Sequence, residues 1–182
     1  MTRSLSGLAL LALPLALAAC ARTATPPGDH DLSGTLAGTS AWSAPRFALV
    51  GTGIPNIFTN RGNLSQSTAA TAAGGLSFGV DLPTFPDVAG VYQIVAYDDT
   101  DGSGTYTIGE PFARNRQWLI FSPAGGDIPA VSLPEQLPWA GGEEALPAMK
   151  VSRGWNLYDR SQPLGTANPR PAAKVTGYDI SR

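Results

Sequence analysis

Beyond the first twenty residues, the apolar side chains fall in short runs broken by turn residues, and no stretch of ten or more keeps helical spacing. That pattern predicts an all-β chain. Leu32, Gly34 and Leu36 alternate in the first run, residues 46–50 and 76–82 form the next two, and residues 91–97 (VYQIVAY) read most clearly as strand. Residues 118–121 are continuously apolar and read as a further strand. Met149, Val151, Trp155 and Leu157 are expected to share one face despite Arg153 between them, and residues 175–180 close the chain. Strands at this turn-separated spacing predict an antiparallel β-sandwich, turn- and loop-rich, with little helix. What helix there is falls in the alanine- and threonine-rich residues 66–73. Two segments are expected to be poor in regular structure. One is residues 51–75, rich in Asn, Ser, Thr and Gly; the other is residues 123–147, broken by prolines.

Composition narrows the partners. Charged residues make up only 14% of the 182 residues, and the formal charge is −2 without a basic cluster. The broad positive field that nucleic acid demands is missing, so no nucleic-acid partner is expected. The 21 glycines and 16 prolines exceed an average share without reaching that of low-complexity disorder.

The N-terminus has the build of an export signal. Arg3 supplies the positive start, residues 8–17 are leucine and alanine with one proline, and the run stops at Cys20. It is too short for the roughly 20 residues a membrane-crossing helix needs, and Pro14 would weaken a permanent one. The tetrapeptide Leu17-Ala18-Ala19-Cys20 resembles the lipobox of bacterial lipoproteins. That resemblance implies cleavage before Cys20, diacylglycerol on its sulfur and often an acyl chain on its freed amine. Two or three chains anchor firmly, since each buried methylene contributes about 0.8 kcal/mol. The expected location is therefore exported and lipid-anchored, to the cell membrane or, because Ala21 rather than aspartate follows the cysteine, the outer membrane where there is one. Cys20 is the only cysteine, so no thiol remains for a disulfide, a metal or a nucleophile. The expected organisation is a leader over 1–19, a lipidated cysteine and flexible tether over 20–30, and a single domain over 31–182.

Residues 32–36, 75–83 and 90–97 together look like the prealbumin-like or carboxypeptidase-regulatory-like β-sandwich modules of exported bacterial proteins. The resemblance runs from Leu32 to about Pro111 and implies a binding, structural or spacer role without catalysis. The half from Arg114 onward is longer than such a module needs.

One stretch carries chemistry. Residues 99–110 (DTDGSGTYTIGE) match the spacing of a twelve-residue EF-hand calcium loop. Asp99, Asp101 and Ser103 would give side-chain oxygens at positions 1, 3 and 5, Thr105 a carbonyl at 7, and Thr107 a direct or water-mediated oxygen at 9. Glu110 would bind with both oxygens at 12, and Gly104 stands at 6, where the loop turns sharply. Asp98 is a further carboxylate that could join. The strand before the loop and Pro111 after it predict a strand-flanked structural calcium site, of affinity roughly 10⁻⁴ to 10⁻³ M. A turn built of the same residues without an ion is the alternative.

Other machinery lacks parts. The only histidine, His30, falls in the expected tether, so no Ser-His-Asp or zinc centre is expected and the chain is read as a non-enzyme. Glu135, Glu143, Glu144 and Asp127 read as solvated loop charges. Trp118 and Trp155 lie in apolar runs that predict burial, whereas Trp139, beside Pro138 and two glycines, is a candidate ring for stacking on a ligand. The expected function is an envelope structural or interaction module whose partner is an envelope protein or a glycan; the alternative is a surface carbohydrate-binding protein.

Overall fold

The computed structural model describes residues 24–54, 57–86, 88–133 and 145–182. Cys20 and Trp139 lie outside them. In chain order the strands are β1 (Leu32–Ala37), β2 (Pro45–Gly53), β3 (Phe58–Arg61), β4 (Gln66–Ala70), β5 (Leu76–Val80), β6 (Gly90–Asp98), β7 (Phe112–Ala113) and β8 (Gln117–Ser122). They continue with β9 (Gly126–Ile128), β10 (Val131–Ser132), β11 (Ala145–Leu146), β12 (Met149–Val151), β13 (Gly154–Asp159), β14 (Arg170–Pro171) and β15 (Ile180–Ser181). One 3₁₀ turn, Pro27–Asp29, precedes them.

The fold is all-β and sandwich-like. A seven-stranded sheet runs β14-β13-β8-β6-β2-β3, with β7 on β6, and a four-stranded sheet runs β15-β1-β5-β4. Pairing is antiparallel except where β15 joins β1 in parallel. The core between the sheets takes Leu32, Leu36, Phe78 and Val80 from the smaller sheet, and Phe47, Leu49, Tyr92, Ile94, Leu119 and Leu157 from the larger. Phe47 stacks on Phe78 across this interface at 4.3 Å between ring centroids.

The large sheet is covered on its second face too. Ala48, Val50, Val91, Val95, Tyr97, Trp118 and Ile120 point that way, under Val131, Leu133, Leu146, Met149 and Val151. All nine residues of β6 are therefore buried, which is why its sequence is apolar on both faces apart from Gln93 and the terminal Asp98. The half after Arg114 supplies β8 and β13 to the large sheet and, through β9 to β12, much of its second cover. Three layers result, not two.

Several sequence expectations change. Residues 66–73 hold strand β4, not helix: the Gln66 carboxamide accepts from Phe47 N–H at 2.9 Å and donates to Phe47 C=O at 3.1 Å, and the strand pairs along β5. Weak helix propensity yields to this pairing. Residues 51–75 carry the end of β2 and all of β3 and β4, and residues 123–147 carry β9, β10 and β11. Met149 and Val151 face one core while Trp155 and Leu157 face the other. Gly154 kinks the chain between them at φ 88°, a conformation costly for residues with a Cβ. The pairing slips by one residue, from Val151 opposite Gly126 to Gly154 opposite Ser122, and the Asn156 carboxamide clamps the bend by bonding the Ser152 N–H and C=O. Trp118 is buried, and Trp155 partly so.

The expected tether over 20–30 also stops short. Residues 27–30 lie against β5, where Gly79 admits them: a Cβ there would stand 2.2 Å from the Pro27 carbonyl oxygen. His30 is only 2% exposed.

Candidate metal centre and a buried histidine bridge

The segment between β6 and β7 is the candidate cation loop. Its ends are tied by Asp98 N–H donating to Pro111 C=O at 3.0 Å. Its middle is pinned by Tyr106, which is buried on the second face of the large sheet and meets Tyr97 and Phe112 edge-on at 5.8 and 5.9 Å. The flank rests on β3 and the residue after it. Asn60 Nδ2 donates to Tyr106 C=O, and Gly62 lets the loop approach so closely that a Cβ would fall 2.2 Å from Gly104 O.

Within this frame Asp99, Asp101 and Glu110 converge, with one carboxylate oxygen of each within 4.8 Å of the others, a spacing that could hold a metal ion. Gly104 adopts φ 75°, as the sharp turn at the sixth position requires. Its N–H donates to Asp99 Oδ2 at 3.2 Å. Glu110 is buried and accepts from Thr100 N–H through Oε1 and from Thr107 N–H through Oε2, at 2.9 and 2.8 Å. Each oxygen keeps lone-pair capacity beyond these bonds.

The other expected ligands bond to one another. Ser103 Oγ donates to Thr105 C=O at 2.9 Å, and Thr107 Oγ1 donates to Asp101 Oδ2 at 3.0 Å. The Ser103 N–H and hydroxyl, followed by Thr107, hold the Asp101 carboxyl below the usual carboxylate range. Asp98 does not join: its Oδ1 accepts from the Ser43 and Ala44 N–H groups at 3.0 and 2.8 Å, fastening a separate turn. Arg46 stands beside the cluster, its Nε 3.7 Å from Asp99 Oδ2, and offsets part of its charge.

A second constellation has no local sequence signature. His30 Nδ1 lies 2.9 Å from Asp81 Oδ1, and His30 Nε2 lies 2.9 Å from Ser67 Oγ. Asp81 follows β5, Ser67 is on β4, and His30 follows the 3₁₀ turn, so three separate segments meet on the outer face of the smaller sheet. Burial pushes the Asp81 carboxyl up, but hydrogen bonds from Ser65 and His30, the histidine charge and the Asp31 N–H together hold it below its usual value. Assigning His30 to a tether concealed this grouping.

Comparison of the chain with protein-family models, curated proteins and solved structures finds no match.

Proposed function

We propose that the chain is an exported envelope protein, held to a membrane through lipid on Cys20, whose β-sandwich is a structural or interaction module and whose 99–110 loop takes a structural calcium ion. The convergence of Asp99, Asp101 and Glu110 in a loop already turned by Gly104 carries the calcium reading. Calcium favours six to eight oxygens, and the loop offers carboxylates, hydroxyls and carbonyls in alternation. A bound ion would offset the clustered negative charge and tie β6 to β7, stiffening one end of the large sheet. The anchor rests on Leu17-Ala18-Ala19-Cys20 closing a short apolar leader.

Calorimetric titration tests the ion. Calcium is expected to bind at 0.1–1 mM and, at 10 mM, to raise the melting temperature by about 3–10 °C, with Glu110→Gln abolishing both effects. No heat at millimolar calcium and identical melting in chelator would refute it. For the anchor, Cys20→Ser should abolish radioactive palmitate labelling and release the chain from membranes.

A carbohydrate-binding reading is favoured by one surface. Two depressions of about 340 and 320 Å³ share Thr84 and Arg153, and Trp155, Phe85 and Phe121 line them. Phe85 is 71% exposed. Quenching of tryptophan fluorescence across a panel of cell-wall glycans distinguishes this surface from an inert one.

A further inference from the structure

A neutral imidazole has one donor nitrogen and one acceptor nitrogen, and an ionised carboxylate can only accept. In the neutral ring, with Asp81 accepting at Nδ1, that nitrogen carries the proton and Nε2 presents its lone pair to Ser67. The Ser67 hydroxyl is then the donor in the 2.9 Å contact. This is the tautomer and order of partners through which an imidazole takes a proton from a serine. The hydrogen bonds that keep Asp81 ionised keep the tautomer in place.

The surroundings hold the ring rigidly. His30 lies against Gly79, where a Cβ would stand 2.5 Å from His30 Cδ2. Ser67 lies opposite Gly79 in the β4–β5 register, is half-buried, and belongs to the outer strand of its sheet. Asp81 N–H donates to Ser65 C=O and Thr71 N–H to Gly75 C=O, so odd-numbered residues of this strand bond toward β5. The alternate N–H of Thr68 therefore faces away from β5, one residue after the serine. A backbone N–H in that sequence position is one of the oxyanion donors in nucleophile-elbow hydrolases.

The geometry points to Ser67 as a nucleophile for small acyl esters, with His30 as general base and Asp81 as the positioning residue. Ser67 Oγ attacks the ester carbonyl carbon while its proton passes to His30 Nε2. The bond to the leaving oxygen then breaks as that proton is delivered to it, releasing an alcohol and leaving an acyl-serine. Water, deprotonated by the same nitrogen, cleaves the acyl-serine to a carboxylic acid and restores Ser67. This chemistry is independent of the calcium loop and of the lipid anchor.

The test uses the detergent-solubilised full-length chain and a biotinylated fluorophosphonate, read by intact mass and peptide mapping. One adduct on Ser67 is expected, absent in Ser67→Ala. His30→Asn should slow labelling roughly 10²- to 10⁴-fold. Asp81→Asn should slow it and also displace its pH profile, a readout that a carboxylate serving only to fasten the N-terminal turn would leave unmoved. Circular dichroism checks that each variant folds. An unlabelled wild-type chain, which needs no variant to interpret, or an adduct that survives Ser67→Ala would overturn the assignment.

Discussion

Tyr178→Phe removes one oxygen from the centre of the sandwich, and its cost can be worked out from the sheet. β8 runs beside β6 only at residues 90–92, and β7 takes up that edge at residues 96–97. The gap between them is closed by side chains. Gln93 Nε2 donates to Asn115 C=O and Gln117 C=O at 3.0 and 3.1 Å. The Tyr178 hydroxyl, in a side chain with no exposure, accepts from Ile94 N–H at 3.3 Å and donates to Gln117 C=O at 3.0 Å. In the phenylalanine variant Gln117 C=O keeps its Gln93 donor, but Ile94 N–H loses its phenol acceptor inside the core. A buried unsatisfied N–H costs about 1–3 kcal/mol. At about 2 kcal/mol, a domain of this size melts about 4–8 °C lower.

Burial also pushes the Tyr178 phenol above its ordinary pKa of 10.0. Above pH 10 the unfolded chain has lost a proton that the folded chain retains, so stability falls as pH rises, by about 1.4 kcal/mol per pH unit for each such phenol. Tyr97 and Tyr106 shift the same way, chiefly by burial, and persist in the variant. Urea unfolding followed by tryptophan fluorescence from pH 9 to 11.5 should show a steeper alkaline loss in wild type than in Tyr178→Phe. Melting within 1 °C of wild type together with equal alkaline slopes would refute the reasoning.

Arg46→Gln removes a cation 3.7 Å from Asp99 and should tighten calcium binding roughly threefold to tenfold at low salt, less at high salt; equal or weaker affinity by calorimetry would show that the guanidinium does not compete with the ion. Gly79→Ala forces a Cβ against Pro27 and His30, so it should cost about 1–3 kcal/mol, raise hydrogen exchange across residues 27–31 and slow fluorophosphonate labelling of Ser67. Unchanged exchange there would mean that the 27–30 segment does not depend on the close approach.

What could be read from the sequence depended on how far apart the cooperating residues stand. β6 was plain because burial on both faces selects apolar side chains at successive positions, with only Gln93 and Asp98 departing from the pattern. The convergence of Asp99, Asp101 and Glu110 could be anticipated because the three lie within twelve consecutive residues, so spacing alone stands in for geometry. β4 was not, since its strand character comes from pairing with β5 and from the Gln66 carboxamide bonding to Phe47, nineteen residues away. The histidine bridge was least accessible: 37 and 51 residues separate His30 from Ser67 and Asp81, and they meet through a glycine whose missing side chain admits the N-terminal turn.

The three-layer arrangement separates the candidate cation loop from the histidine bridge. Tyr106 ties the cation loop to the core on the second face of the large sheet, beside Tyr97, while His30 sits on the outer face of the smaller sheet, beyond the inter-sheet core. An ion at Asp99, Asp101 and Glu110 therefore acts first on the β6–β7 connection and the second-face core. The Ser67–His30–Asp81 bridge acts on the entry of the chain into the sandwich, the end nearest the proposed anchor at Cys20. A load applied through that lipid would reach the β4–β5 pair through residues 27–30 before it reached the cation loop. The two sites are nonetheless linked through the connection from β3 to β4: Gly62, against which Gly104 rests, accepts on its C=O from the carboxamide of Gln66, the neighbour of Ser67.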